Sequence, residues 1–277
     1  MKILAVLGCS RRHATLELYH HDMSVCSAKV RFALAEKGLE WTGRYTDIRK
    51  GEQKAPQYLK LNPNGYVPTL VHDVRVVIES TIINEYIEDA FPDPPLRPVD
   101  AASRAQMRLW TLQLDVDVHM ATRVLTSSIA FRHTHLKKTP QELEAKLNSI
   151  QDLVKRERQR ESYTKGVDSP FMREALKRYD KLLGDMEAAL DHSTWLAGEN
   201  FSLADIGYAP YVTRLEHLQL AGMWAACPRV ADWFERLKAR AGYQQALANW
   251  FNQDYINQMK ETGAESWPRI KVMLEEG

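Results

Sequence analysis

The sequence predicts an α+β protein, a small mixed unit followed by a larger all-α part, and three observations carry that reading. Short alternating apolar segments and two helical segments fill residues 16–90 in the order βαβ…ββα. Phe91 to Pro98 (FPDPPLRP) then places four prolines where the chain can neither continue a helix nor enter a sheet interior. Beyond that run the strand signal fades, and strongly helical composition continues to the end. With 277 residues there is material for two domains, each with its own apolar core.

Taken in order, residues 1–15 form an N-terminal extension. Met1 to Ser10 (MKILAVLGCS) is short and is followed by Arg11 and Arg12 rather than a small-residue cleavage site, so an over-long start or a strand-like extension is preferred to a signal peptide. The mixed domain occupies 16–90. LELYH from Leu16 alternates as a strand does, and Val25, Ala28, Phe32 and Ala35 recur at helical spacing within Ser24 to Lys37. Gly38 stops that helix as a C′ residue. Trp41 to Ile48 reads as a second strand. Val67 to Ile78, broken at His72 and Asp73, reads as a hairpin, and Ile82, Ile83, Tyr86 and Ile87 carry a helix ending near Ala90. Residues 91–99 are the linker and 100–277 the all-α domain. Its highly charged, weakly periodic segment near 132–170 is expected to be a solvated helix pair or a partly mobile insertion.

Composition narrows the function. Lys plus Arg number 37 against 36 for Asp plus Glu, and a net charge of +1 offers no field to hold a nucleic acid or an anionic membrane. No apolar run approaches the ~20 residues that span a bilayer. Cys9, Cys26 and Cys227 are odd in number and form no CxxC pair, which suits a reducing cytoplasm and argues against a zinc site or a dithiol centre.

Four constellations carry chemistry or folding information. Ser24-Val25-Cys26-Ser27 opens the first helix, where unpaired N–H groups and the helix dipole stabilise a thiolate and the Ser24 hydroxyl can add a hydrogen bond. Ser24 reads equally well as a plain N-cap. Cys26 is its rival, as a nucleophile or as a small buried residue. Asn62-Pro63-Asn64-Gly65-Tyr66-Val67-Pro68 is a sharp turn into a strand; a cis peptide before Pro68 would turn the Val67 N–H and C=O outward to pair with an extended peptide ligand. Glu79-Ser80 begins the next helix, with N–H donors for a carboxylate and an acid that can face an ammonium group. Ser202-Leu203-Ala204-Asp205 is a capping box, read as folding information only.

In their order and spacing these features resemble the cytosolic glutathione transferase superfamily over about Leu16 to Tyr255. The resemblance rests on YHHDMSVCSAKVRFALAEKGLEW, LNPNGYVPTL, ESTIINEYIEDAFP, NFSLADIGYAPYVTRLEHL and PRVADWFERLKAR. It implies a thioredoxin-like N-terminal domain that binds glutathione, packed on an α domain that supplies the second-substrate pocket, usually in a homodimer. It puts Ser24 at the catalytic position, Tyr66, Val67 and Pro68 at the cysteinyl backbone of glutathione, and Glu79 with Ser80 at its γ-glutamyl end. Gln53 or Lys54 would reach the glycyl carboxylate. The stretch from Glu79 and the long insertion resemble bacterial β-etherases that cleave lignin-derived aryl ethers, whereas MSVCS resembles the zeta and reductive-dehalogenase branch, in which a Ser and a Cys are both used. The expected function is glutathione attack on a small aromatic electrophile. Thiol transfer or reductive dehalogenation through Cys26, and a non-catalytic binding protein, are the alternatives. Trp110, Gln113, Leu114 and Asp117, close to one helical face, are expected to line the second-substrate pocket, with Trp250 or Phe251 closing it.

Overall fold

A computed structural model describes residues 15–276, so the expected extension lies outside the described residues except for Thr15. The fold class is as expected, a thioredoxin-like α+β unit followed by a mostly helical domain. Strands β1 (Leu16–His20), β2 (Thr42–Tyr45), β3 (Thr69–His72) and β4 (Arg75–Ile78) form one sheet in the order β2-β1-β3-β4. β1 pairs parallel with β2 and antiparallel with β3, where Leu18 sits opposite Leu70. Both leucines are fully buried, because the alternation of LELYH puts Leu16, Leu18 and His20 on the inner face. The second strand is shorter than the apolar segment suggested: only Thr42–Tyr45 pairs, and all four residues are exposed.

Helix α1 (Val25–Glu36) is buried over most of its length, including the charged Lys29 and Arg31. The short helix α2 (Pro56–Leu59) and helix α3 (Ser80–Ala90) complete the first domain. Its exit is pinned by charge. Lys37 Nζ lies 2.5 Å from Glu88 and donates to the Pro94 carbonyl, Leu96 N–H donates to Glu88, and the Leu96 carbonyl accepts from Leu203 N–H. The peptides before Pro68 and Pro94 are both cis.

The helical domain opens with one nearly continuous run over 101–135. It consists of α4 (Ala101–Gln113), α5 (His119–Thr126) and α6 (Arg132–His135), joined by π-helical turns Leu114–Val118 and Ser127–Phe131. There follow α7 (Pro140–Asn148), α8 (Leu153–Lys165), α9 (Pro170–Leu190), α10 (Leu203–His217), α11 (Pro228–Lys238), α12 (Ala241–Ala246) and α13 (Gln253–Glu275). The charged insertion is solvated only in part. α7 buries Leu147 alone, but α8 packs against α9 and the second π turn, where Gln159 accepts from Arg123 and donates to Ser127. The central α10 is buried from Leu203 to Leu215. Its capping box forms as expected, with Asp205 also accepting from Leu196 N–H and the Trp233 indole. Gly263 lets α13 close on α10, since a β-carbon there would meet the Leu218 carbonyl oxygen at 2.0 Å.

Candidate functional site

β1 ends at His20, and the loop 21–24 delivers Ser24 to the head of α1. Ser24 has extended backbone (φ −77°, ψ 116°) and its Oγ accepts from Ser27 N–H at 3.2 Å. The N-cap contact therefore uses an Oγ lone pair and leaves the hydroxyl proton free to donate. Capping and thiol activation, alternatives in the sequence, are compatible in the structure. The N–H groups of Val25 and Cys26 lie in the first turn, where no intrahelical acceptor exists.

Loop 62–68 is held from behind. Tyr58 OH and Asn62 Nδ2 both donate to the Tyr66 carbonyl, at 2.5 and 2.9 Å. Gly65 adopts φ +62°, and Lys54 lies across it, donating to the Asn64 carbonyl with its ammonium 5.0 Å from the Tyr66 ring. Gln53 donates weakly to the Ile48 carbonyl, and its buried Oε1 has no partner among the described residues. Glu79 caps α3 at φ +67°, a costly conformation for a residue with a β-carbon. Its exposed carboxylate accepts from Asn64, which ties loop 62–68 to the start of α3. Ser80 is buried beside it at the helix start.

Two residues beyond Ser24, Cys26 joins side chains that the sequence did not single out. Its Sγ lies 3.6 Å from His119 Nδ1 and 3.9 Å from Tyr211 OH, and those two atoms are 3.2 Å apart. Burial raises the thiol, but the charge and hydrogen bond of His119, with Lys29 and Ser80, outweigh it and bring the value down to about 6. Lys29, almost fully buried, donates to Thr81, which donates in turn to Asp115 on the first π turn. This chain bridges the start of α3 to the helical domain.

The four residues expected to line a second-substrate pocket are each engaged in packing or polar contacts. Trp110 packs edge-on to Tyr208, Gln113 accepts from Tyr208 OH, Leu114 is fully buried, and Asp117 pairs with Arg178 at 2.7 Å. Trp110 and Gln113 thus meet Tyr208 of α10, whereas Leu114 lines a small cavity with Lys29, Thr81 and Asn84 of the first domain. The same helical run offers Asp115 and His119 to α1. Trp250 stacks against Trp41, whereas Phe251 lines a small cavity shared with Ser24.

Models of the glutathione S-transferase N-terminal and C-terminal domains match residues 23–90 and 155–236. The chain is 28% identical to protein LigF of Sphingobium sp. strain SYK-6 over 255 residues, covering 89% of this chain and 98% of that one. The crystal structure of that β-etherase superposes with a TM-score of 0.75, covering 85% of this chain and 99% of that one. Identity to glutathione S-transferase 3 of Zea mays is 30%, over 85% of this chain and 94% of the relative. Identity to the tetrachloro-p-hydroquinone reductive dehalogenase of Sphingobium chlorophenolicum is 26%, over 85% and 97%.

Proposed function

This chain belongs to the glutathione S-transferase family, and from that premise we propose that it activates bound glutathione through Ser24 for attack on a small aromatic electrophile, with β-aryl ethers as the substrate class. The observation that carries the reading is the state of Ser24: its oxygen is oriented by Ser27 N–H, so its proton is available to a thiolate lying over the first turn of α1. The helix dipole adds to that stabilisation.

In this reading the Val67 backbone pairs with the cysteinyl part of glutathione as an added strand would. Ser80 and the first N–H groups of α3 take the γ-glutamyl carboxylate, Glu79 takes its ammonium, and Gln53 or Lys54 takes the glycyl carboxylate. The thiolate then forms a C–S bond as the C–O bond breaks and an aryloxide leaves. Thiolate stabilisation and the orientation of two bound reactants supply the rate. Kinship with a β-etherase along nearly its whole length supports the choice of substrate class. We extend the reading to a homodimer in the reducing cytoplasm, in keeping with the free thiols of Cys26 and Cys227.

The test is a glutathione-dependent product screen over aryl ethers, haloaromatics and unsaturated carbonyls, read by the mass of the conjugate. A glutathione thioether of the ether substrate with release of the phenol is the expected result. Absence of glutathione binding at millimolar concentration would sink the reading. A second reading, disulfide exchange or reductive dehalogenation through Cys26, is favoured by the contact between Cys26 and His119. It predicts loss of turnover on a halogenated quinol in Cys26→Ala but not in Ser24→Ala.

A further inference from the structure

The loop that presents Ser24 is held by two buried guanidinium groups. Arg31, on α1 and 1% exposed, donates through Nη1 to the His21 carbonyl and through Nη2 to the Asp22 carbonyl, both at 3.0 Å, while its Nε donates to Ala246. Arg214, on α10 and 6% exposed, donates through Nη2 to the Met23 carbonyl at 2.7 Å. Three consecutive carbonyls, those of residues 21, 22 and 23, are thus each taken by an arginine immediately before Ser24.

Neither arginine has a carboxylate within ion-pairing distance among the described residues. Asp22, the nearest acid to Arg31, is engaged by His21 at 2.9 Å and by Asn252 at 3.2 Å. Arg214 Nη1 reaches only the Thr126 hydroxyl, at 3.4 Å, and its Nε has no partner among the described residues. Arg214 and Arg31 line a cavity of about 20 Å³ together with Ser24, Val25, His217 and Phe251, a space for one or two waters and too small for an aromatic ring. Buried cations without counter-charge are costly, and the cost falls when an anion comes near. The anion that the proposed reaction creates lies at the head of α1. The other titratable groups around this loop are His20 on β1, His21 and Asp22 in the loop, Tyr45 and Asp47 beside His21, Cys26 on α1, His119 on α5, Tyr179 on α9, and Tyr211 and His217 on α10.

We propose that Arg214, together with Arg31, is a positioning residue for thiol activation: it fixes the peptide leading into Ser24 through the Met23 carbonyl, and its uncompensated buried charge favours the glutathione thiolate over the thiol. The inference rests on the transferase reading and adds to it that the helical domain, nearly two hundred residues along the chain, sets the reactivity of the thiol. Burial already depresses both guanidiniums, Arg31 to about 9 and Arg214 to about 10, as expected of buried cations with no carboxylate in contact.

The experiment titrates the ultraviolet absorbance of the thiolate of bound glutathione in the wild type, Arg214→Gln and Arg214→Lys, alongside kcat and KM. Arg214→Gln keeps a donor for Met23 but loses the charge. Its thiolate midpoint is expected to rise by about one pH unit, with turnover at neutral pH falling about tenfold and recovering at alkaline pH. An unchanged midpoint in a variant that binds glutathione overturns the electrostatic role. Arg214→Lys keeps the charge and loses the fork onto Met23 and Thr126, so its midpoint should stay close to that of the wild type while kcat falls several-fold with little change in KM for glutathione. Wild-type kcat in the lysine variant overturns the positioning role. This arm decides the matter if Arg214→Gln does not fold. Failure of the wild type to bind glutathione would refute the transferase reading itself, an outcome the two variants cannot produce.

Discussion

The two faces of α1 treat sulfur differently. One face carries Ser24, Ala28 and Arg31 and looks onto Arg214 and His217 of α10; in the proposed reaction it would offer a hydroxyl, helix N–H groups and guanidinium charge to the thiol of glutathione. The other carries Cys26 and Lys29 against His119, Tyr211 and Asp115, and holds a thiol of its own. A visiting sulfur needs fixed donors and a held loop, whereas a resident one needs an imidazole at contact distance. One helix terminus supplies both because residues 24 and 26 lie about 200° apart around its axis.

The sharpest way to break this comparison is to remove each side chain and measure glutathione conjugation. Ser24→Ala is expected to lower kcat/KM by about 10²–10³, the usual loss on deleting one donor to a developing anion, while Cys26→Ala stays within about threefold. The opposite pattern would transfer the chemistry to the resident thiol. Next in size is Asp205→Ala, which strikes both faces because α10 carries both Tyr211 and Arg214. Leaving Trp233 Nε1 and the N–H groups of Leu196 and Ser202 without their acceptor should cost about 3 kcal/mol of unfolding free energy in urea. A smaller change would show that water replaces the carboxylate.

His119→Gln tests the Cys26 face alone. The pH midpoint for alkylation of Cys26, expected near 6 in the wild type, should move up toward the ordinary thiol range, with the rate at pH 7 falling about tenfold. Conjugation through Ser24 should change little, and an unmoved alkylation profile would dissolve the pairing with His119. The smallest effect concerns acid stability on the Ser24 face. Burial, then the Arg214 charge, depress His217 from its ordinary 6.5 to about 3. The unfolded chain therefore binds a proton that the folded one refuses, so stability present above pH 6.5 is lost as pH falls toward 3. His217→Gln should lessen that loss by on the order of 1 kcal/mol, seen as a flatter dependence of melting temperature on pH between 6.5 and 4.

Much of this molecule was legible in the sequence where information is local. The alternation of LELYH, the helix from Ser24 to Gly38, the hairpin around His72 and Asp73 and the capping box at Ser202 each declare themselves within a dozen residues. The turn at Val67-Pro68 and the helix start at Glu79-Ser80 were equally visible, because turns and helix starts have strong residue preferences. His119, Tyr211, Arg31 and Arg214 were not, since each is a polar residue inside a buried helix whose meaning depends on a partner far along the chain. The neighbours of Trp110 and Leu114 were not legible for a related reason. Periodicity groups residues by side but does not say which neighbour that side meets. The insertion looked solvated because Gln159 and Arg132 anchor it by hydrogen bonds rather than by apolar spacing.

The π turns at Leu114–Val118 and Ser127–Phe131 have a mechanical consequence. Each takes up one residue more than an α turn, so each acts as a phase slip of about 100° in an otherwise regular rotor. Everything downstream of a slip is aimed by it: His119 follows the first, and Arg132 with α13's seat on the helical run follows or flanks the second. Deleting a single residue from the first turn would swing His119 away from Cys26 without disturbing a core side chain upstream. The helical run is thus indexed, and its setting toward the thiol can be altered by length alone, with no change in the chemistry of any side chain.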